Sequence, residues 1–231
     1  MRYVVLVLLT ALIAFPAFAA SQPAKSAGPI KATGSIELKD AAGDMDPITT
    51  SEGEEPPVDV VALSIASDGN RLTFAATVEG PLGGFATPVV TTYIDVDNNP
   101  ATGTQGRDDK PGGFEYKAKL CLCIKYSDGA TACEGGSVKG KPTERWAAMD
   151  LERFKGDSEY GESETVVDSM GFFGKKASPK VPVAGQVVQC TLDYADLQLK
   201  PGQTVRLLAK ERGGAPKDGD GSFPIVILTL K

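Results

Sequence analysis

Phe114, Tyr116, Ala118, Leu120, Leu122, Ile124 and Tyr126 alternate along the chain with Glu115, Lys117, Lys119, Cys121, Cys123 and Lys125. Only an extended strand gives that spacing a purpose, because successive side chains of a strand point to opposite faces. One face is apolar throughout and must be covered by a second layer. The other carries lysines and, unexpectedly for small buried thiols, two cysteines.

The same period recurs on both sides of this run. Val61, Leu63 and Ile65 alternate with smaller residues, Asp68-Gly69-Asn70 makes a turn, and Leu72, Phe74, Ala76 and Val78 resume the pattern. That is a hairpin with a turn mechanism, since Gly and Asn tolerate positive φ. Val90, Thr92, Ile94 and Val96 form another apolar face, with Tyr93, Asp95 and Asp97 opposite. Val188-Cys190-Leu192, Val205-Leu207-Ala209 and Phe223-Ile225-Ile227 read as three closing strands. A short strand is expected over 34–38 and another near Val166. Glu144 to Phe154, with the sole Trp146, is the one stretch that reads as a helix. Many strands broken by Gly and Pro turns, with at most one short helix, predict an all-β fold: a jelly-roll-like antiparallel β-sandwich.

The first residues bear on compartment. Arg2 precedes an apolar run from Val4 to Phe15 broken only by Thr10, and Pro16 ends it before Ala17-Phe18-Ala19. The run is too short to span a bilayer and fits a secretory signal over 1–19, cleaved after Ala19. A flexible leader over 20–33 and a single sandwich domain over 34–231 are expected to follow, in a periplasmic or secreted protein. Cleavage would remove Arg2 and move the formal charge of −6 to −7. An acidic exported chain is a poor partner for nucleic acid, and no membrane insertion is expected after cleavage. The chain contains no His, which excludes Ser-His-Asp and Cys-His nucleophilic sites and the common His-based metal sites.

The four cysteines, Cys121, Cys123, Cys133 and Cys190, read as two disulfides in an oxidising compartment. A tight turn at Asp128 would set Cys123 opposite Cys133 and leave Cys121 for Cys190, while a register shift would exchange the choice. Acidic residues gather twice. Asp95-Val96-Asp97-Asn98-Asn99 with Thr102-Gly103 puts two carboxylates on one face at a strand end and amide oxygens in the next turn. Asp44, Asp46 and Asp59 can bring further oxygens from a second segment. Calcium takes six to eight oxygen ligands in a flexible arrangement, which such turns can supply. Asp218 and Asp220 form a weaker acidic set that fits an ordinary turn. Among the aromatics, Trp146 and Tyr93 are the candidate ligand-binding rings, with Tyr160 and Tyr194 behind them. Nothing in the pattern singles out an acid and a base for catalysis.

Gly43-Asp44, the strand opening at Asp59, Tyr93-Ile94-Asp95-Val96-Asp97-Asn98-Asn99-Pro100-Ala101-Thr102-Gly103, Phe114-Glu115-Tyr116 and Leu197-Gln198-Leu199-Lys200-Pro201-Gly202 follow one another in order. Over roughly residues 34 to 231 this order resembles the family 9 carbohydrate-binding modules and the related DOMON-like sandwiches. The resemblance implies a jelly-roll-like sandwich, a structural calcium ion and, in some members, sugar binding. It makes Asp44, Asp59, Asp95 and Glu115 candidate calcium ligands. The chain departs from the sugar-binding members in having one Trp where they clamp a sugar between two, and from the haem-binding relatives in lacking His. The expectation is a non-catalytic, calcium-stabilised binding or accessory module whose partner is a glycan. The alternative is a structural or protein-interaction domain that binds an envelope protein.

Overall fold

The computed structural model describes residues 28–50, 53–80, 82, 84–104, 112–134, 140–155, 162–172, 175–217 and 221–231. The expected signal segment, Tyr160, Asp218 and Asp220 lie outside the described residues. The first elements are β1 (Ile30–Thr33), β2 (Ser35–Lys39), β3 (Met45–Asp46), β4 (Ile48–Thr50), β5 (Gly53–Glu55), β6 (Val60–Ser67), β7 (Arg71–Val78) and β8 (Thr87–Asp95). Then come β9 (Tyr116–Tyr126), β10 (Thr131–Ala132), β11 (Pro142–Phe154), β12 (Ser163–Asp168), β13 (Lys176–Ala177) and β14 (Val181–Pro182). The chain closes with β15 (Val187–Asp193), the single helical turn α1 (Tyr194–Leu197), β16 (Thr204–Glu211), β17 (Ala215–Pro216) and β18 (Val226–Thr229).

These elements make an all-β sandwich of two unequal sheets. The larger runs β1-β18-β16-β8-β9-β11-β12-β13, with β10 added to β9 and β14 to β11; the smaller runs β15-β7-β6-β2. Pairing is antiparallel except for β1 with β18 and β12 with β13, which are parallel. The core lies between the sheets. Leu63, Ile65, Leu72, Phe74, Val188 and Leu192 of the smaller sheet face Ile94, Tyr116, Leu120, Leu122, Met149, Leu151, Val205 and Leu207 of the larger. Burying a Leu, Ile or Phe side chain stabilises the fold by roughly 1.5–3 kcal/mol. The apolar phase of each run therefore fixes which way its strand faces.

The β6–β7 hairpin forms where the alternation puts it. The Asp68 Oδ1 accepts the N–H groups of Asn70 and Arg71 at 2.9 and 2.8 Å, and Gly69 takes φ 98°. Two other expectations are corrected. Residues 144–154 are strand, the greater part of β11, hydrogen-bonded along its length to β9. Among the described residues the one α-helix is the short α1 instead. Ala, Met, Leu, Glu and Arg favour helix locally, but the long-range pairing of β11 with β9 and with β12 overrides that weak preference. The last four residues of the expected leader are also strand: β1 lies parallel to β18, with Ile30 opposite Val226 and Thr33 opposite Thr229.

Candidate functional site

Three groups of oxygen and sulfur ligand atoms converge among the described residues: Asp44, Asp59 and Glu211; Asp95, Asp97 and Glu115; and Cys121, Glu134 and Asp150. The ligand atoms of each group lie within 4.8 Å of one another. The first two contain most of the acidic residues the sequence singles out, divided between two places. In the β8–β16 ladder Glu211 stands opposite Val90 and Arg206 opposite Asp95. The two acidic clusters are thus separated by five residues of β8, roughly 16 Å along the strand.

The Asp95 cluster is built by the β8 end and the turn after it. Asp95 is fully buried although it is in phase with the outer face. Its Oδ2 accepts the Arg206 Nε–H at 2.8 Å, and its Oδ1 accepts the Asn99 N–H at 3.1 Å. The Arg206 guanidinium also lies 4.5 Å above the Phe114 ring and donates to the Gly113 carbonyl at 2.8 Å. Glu115 accepts the Val96 N–H at 2.8 Å, and Asp97 accepts the Asn99 N–H at 3.0 Å. The Thr102 hydroxyl lies 3.0 Å from Asp97 and 3.1 Å from Glu115. Gly103 is required here: at φ 71°, a Cβ would meet the Phe114 carbonyl at 2.5 Å. Burial raises the Asp95 and Glu115 carboxyls above the ordinary range, against the hydrogen bonds from Arg206 and Val96. Every carboxylate here has a donor from the protein, and one cation sits among them.

The Asp44 cluster joins three segments distant in sequence. Asp59 precedes β6 and is only 5 % exposed; its Oδ2 accepts the Gly43 N–H at 2.5 Å, while its Oδ1 is buried without a hydrogen-bond partner among the described residues. Glu211 ends β16 and is 3 % exposed; its Oε1 accepts the Val60 N–H. Burial, helped by the charges of Asp40, Asp59 and Asp44 and opposed by the Val60 hydrogen bond, pushes its carboxyl up to about 8. Gly213 brings β16 against the Asp59 segment. A Cβ there would land on the Val58 carbonyl, and Val58 N–H donates to Gly213 O at 2.8 Å. Asp44 comes in beside the β3–β17 pair, its carbonyl accepting the Lys217 N–H at 2.8 Å. Asp46 points elsewhere: it is exposed, and Lys217 Nζ is 4.0 Å from it.

Sequence reasoning missed Glu211. The signal was present, because Glu211 continues the inward phase of Val205, Leu207 and Ala209. A carboxylate in the apolar phase of a strand must be neutral, paired or bound to a cation.

The aromatic candidates separate. Trp146 is corrected: it is 2 % exposed and lies in a small cluster with Cys121, Cys123, Cys133 and Ala148, so no ligand can stack on it. Lys180 Nζ stands 4.5 Å from the ring centroid. Tyr194 is buried, its hydroxyl 2.5 Å from Ser67 Oγ. Of the described candidates Tyr93 alone remains half-exposed, and it lines an open groove of about 390 Å³ on the outer face of the larger sheet with Pro88, Thr91, Lys117, Lys119, Glu134 and Arg212.

One disulfide forms, Cys123–Cys133. The expected Cys121–Cys190 bond does not, and both thiols are free and buried. The reason is phase. Cys121 shares the outer side of β9 with Cys123, whereas Cys190 shares the inner side of β15 with Val188 and Leu192, in the core between the sheets. Burial raises both thiols above the ordinary cysteine range, which leaves them protonated and unreactive at neutral pH.

No protein-family model matches the chain, and no curated protein matches it in sequence.

Proposed function

We propose that this chain is an exported, non-catalytic binding or accessory module with a glycan ligand, stabilised by calcium held at Asp44, Asp59 and Glu211. One observation carries the calcium reading. Three carboxylates converge at one site, Asp59 and Glu211 are buried, the Asp59 Oδ1 has no hydrogen-bond partner, and among the described residues no lysine or arginine pairs with Asp59 or Glu211. A buried charge cluster of one sign is costly unless protons or a cation neutralise it. An all-oxygen, flexible donor set suits calcium, and the absence of sulfur and nitrogen disfavours softer metals. Bound calcium would join the segments before β3, before β6 and at the end of β16 through their side chains. The glycan reading rests on Tyr93, a half-exposed ring flanked by hydrogen-bonding side chains.

The test is thermal unfolding of the oxidised protein with calcium and then with excess chelator. An ion bound only to the folded state at a hundred times its dissociation constant contributes about 2.7 kcal/mol. For a domain of this size the midpoint falls by roughly 5–10 °C on chelation. An unchanged midpoint sinks the calcium reading.

A further inference from the structure

The outer-face groove of this acidic chain gathers three cations, Lys117, Lys119 and Arg212, against one carboxylate, Glu134. Its rows follow from strand register: Tyr93 lies opposite Lys117, and Thr91 lies between Lys119 of β9 and Lys210 of β16. Lys117 is held by Glu152 at 2.8 Å, and Lys119 by Glu134 at 2.5 Å and Glu152 at 3.4 Å. Burial pulls the Lys119 ammonium down, but Glu134, Glu152 and Asp150 outweigh it and hold it above the ordinary lysine range. Glu134 follows Cys133, so the disulfide to Cys123 fixes it over the groove. Arg212 differs from the lysines. It is exposed, its backbone N–H is anchored on the Val89 carbonyl at 2.9 Å, and its guanidinium has no carboxylate partner among the described residues.

The geometry points to a hexuronate unit of an acidic polysaccharide as the ligand of this groove, its ring against Tyr93 and Pro88 and its carboxylate on Arg212. The inference rests on the glycan reading above and names the class of sugar. A planar guanidinium pairs a carboxylate through two parallel hydrogen bonds, which a point charge cannot reproduce. The apolar faces of Tyr93 and Pro88 suit the C–H face of a pyranose. Lys117, Lys119 and Glu134 offer donors and an acceptor to ring hydroxyls. A phosphate polyanion fits less well, because Glu134, Glu152 and Asp150 surround the lysines and repel dense negative charge.

The experiment is isothermal titration of the oxidised protein with trimers of galacturonate and of glucuronate, with their methyl esters, and with neutral trimers of glucose and xylose. One acidic trimer is expected to bind, its ester at least tenfold more weakly, and the affinity to fall as salt rises. Arg212→Glu should weaken that binding at least tenfold with an unchanged melting temperature, and Tyr93→Leu should weaken it without changing the salt dependence. Equal binding of acid and ester, or an Arg212→Glu protein that binds the acid as tightly as before, overturns the inference. Neutral trimers that bind regardless of Arg212→Glu overturn the uronate assignment and leave the glycan reading standing. Folded protein that binds neither class overturns both.

Discussion

At the Asp95 end of β8 three carboxylates share a turn with Arg206, Thr102 and the N–H groups of Val96 and Asn99. At the other end Asp44, Asp59 and Glu211 meet; the Gly43 N–H donates to Asp59 and the Val60 N–H to Glu211, and among the described residues neither of those two carboxylates pairs with an arginine. The local reason is the length of chain involved. Asp95, Asp97, Asn99 and Thr102 lie within one continuous turn, whose own backbone folds back to donate. The other three acids are delivered by separate segments whose backbones are committed elsewhere, Val58 to Gly213 and Lys217 to Asp44. A cluster assembled from distant segments gathers charge faster than it gathers donors. Under the proposed function, the cation of one cluster is Arg206 and that of the other would be calcium.

Arg206→Met removes the cation of the Asp95 cluster and carries the largest expected effect. It strands the fully buried Asp95 and uncovers Phe114. Removing one partner of a buried pair costs about 3–5 kcal/mol, so the melting temperature measured with chelator present falls on the order of 10 °C. Two unneutralised clusters then exist where there was one. Calcium should restore more of the loss in this variant than it adds to the unsubstituted protein, and an equal calcium increment in both would show that the Asp95 cluster takes no ion when its arginine is gone.

Glu211→Gln sharpens the comparison from the other side. The amide keeps the shape and an acceptor for the Val60 N–H while removing the carboxylate that would ligate the ion. The midpoint in chelator should rise or hold, and the calcium-dependent gain of about 2.7 kcal/mol should shrink to under half. A full calcium response in this variant would move the ion away from Glu211.

The pH dependence of the calcium-free protein separates the clusters a third way. The Glu211 carboxyl titrates near 8 in the folded chain, raised by burial and by Asp40, Asp59 and Asp44. The unfolded chain releases the same proton near 4.3. Between those values the folded state binds more protons, so stability falls as pH rises from about 5 to about 8. Burial raises Asp95 and Glu115 too, so they add a slope of the same sign at the other cluster. Unfolding in urea at pH 5.5, 6.5 and 7.5 should show the decline, and Glu211→Gln should remove the part of it nearest neutrality. A slope unchanged by Glu211→Gln would place the titrating group elsewhere.

Much of the fold was legible because period two is a strong signal where one face is wet. The alternation placed the β6–β7 hairpin, β9, β15 and β16 on their observed segments; the last run, expected at Phe223-Ile225-Ile227, is strand only over Val226–Thr229, where Val226 and Leu228 are the buried residues. It failed at β11, where Trp146, Ala147, Ala148 and Met149 are all buried: the outer side is covered by the cysteine cluster and the inner side by the core. With no wet face there is no alternation to see. The cysteines teach the opposite lesson. Phase alone puts Cys121 outward and Cys190 inward, so an even cysteine count does not make them a pair. The acidic residues were legible as chemistry, but their division into two clusters depends on β8–β16 register, which no local pattern encodes.

Thr102→Val is the smallest change and asks whether the Asp95 turn needs its hydroxyl. Thr102 Oγ1 has one proton and four acceptors in reach: both Asp97 oxygens at 3.0 and 3.1 Å, Glu115 at 3.1 Å and the Asn99 carbonyl at 2.8 Å. It can satisfy only one at a time, so the arginine and the backbone do most of the neutralising. Valine keeps the shape and removes the proton, costing about 1 kcal/mol and lowering the midpoint by roughly 2–4 °C. The calcium increment should be unaffected, since the proposed calcium site is roughly 16 Å away by strand spacing. If instead Thr102→Val abolishes the calcium response while Glu211→Gln leaves it whole, the assignment inverts: calcium belongs to Asp95, Asp97 and Glu115, and the Asp44 cluster is neutralised by the proton on Glu211.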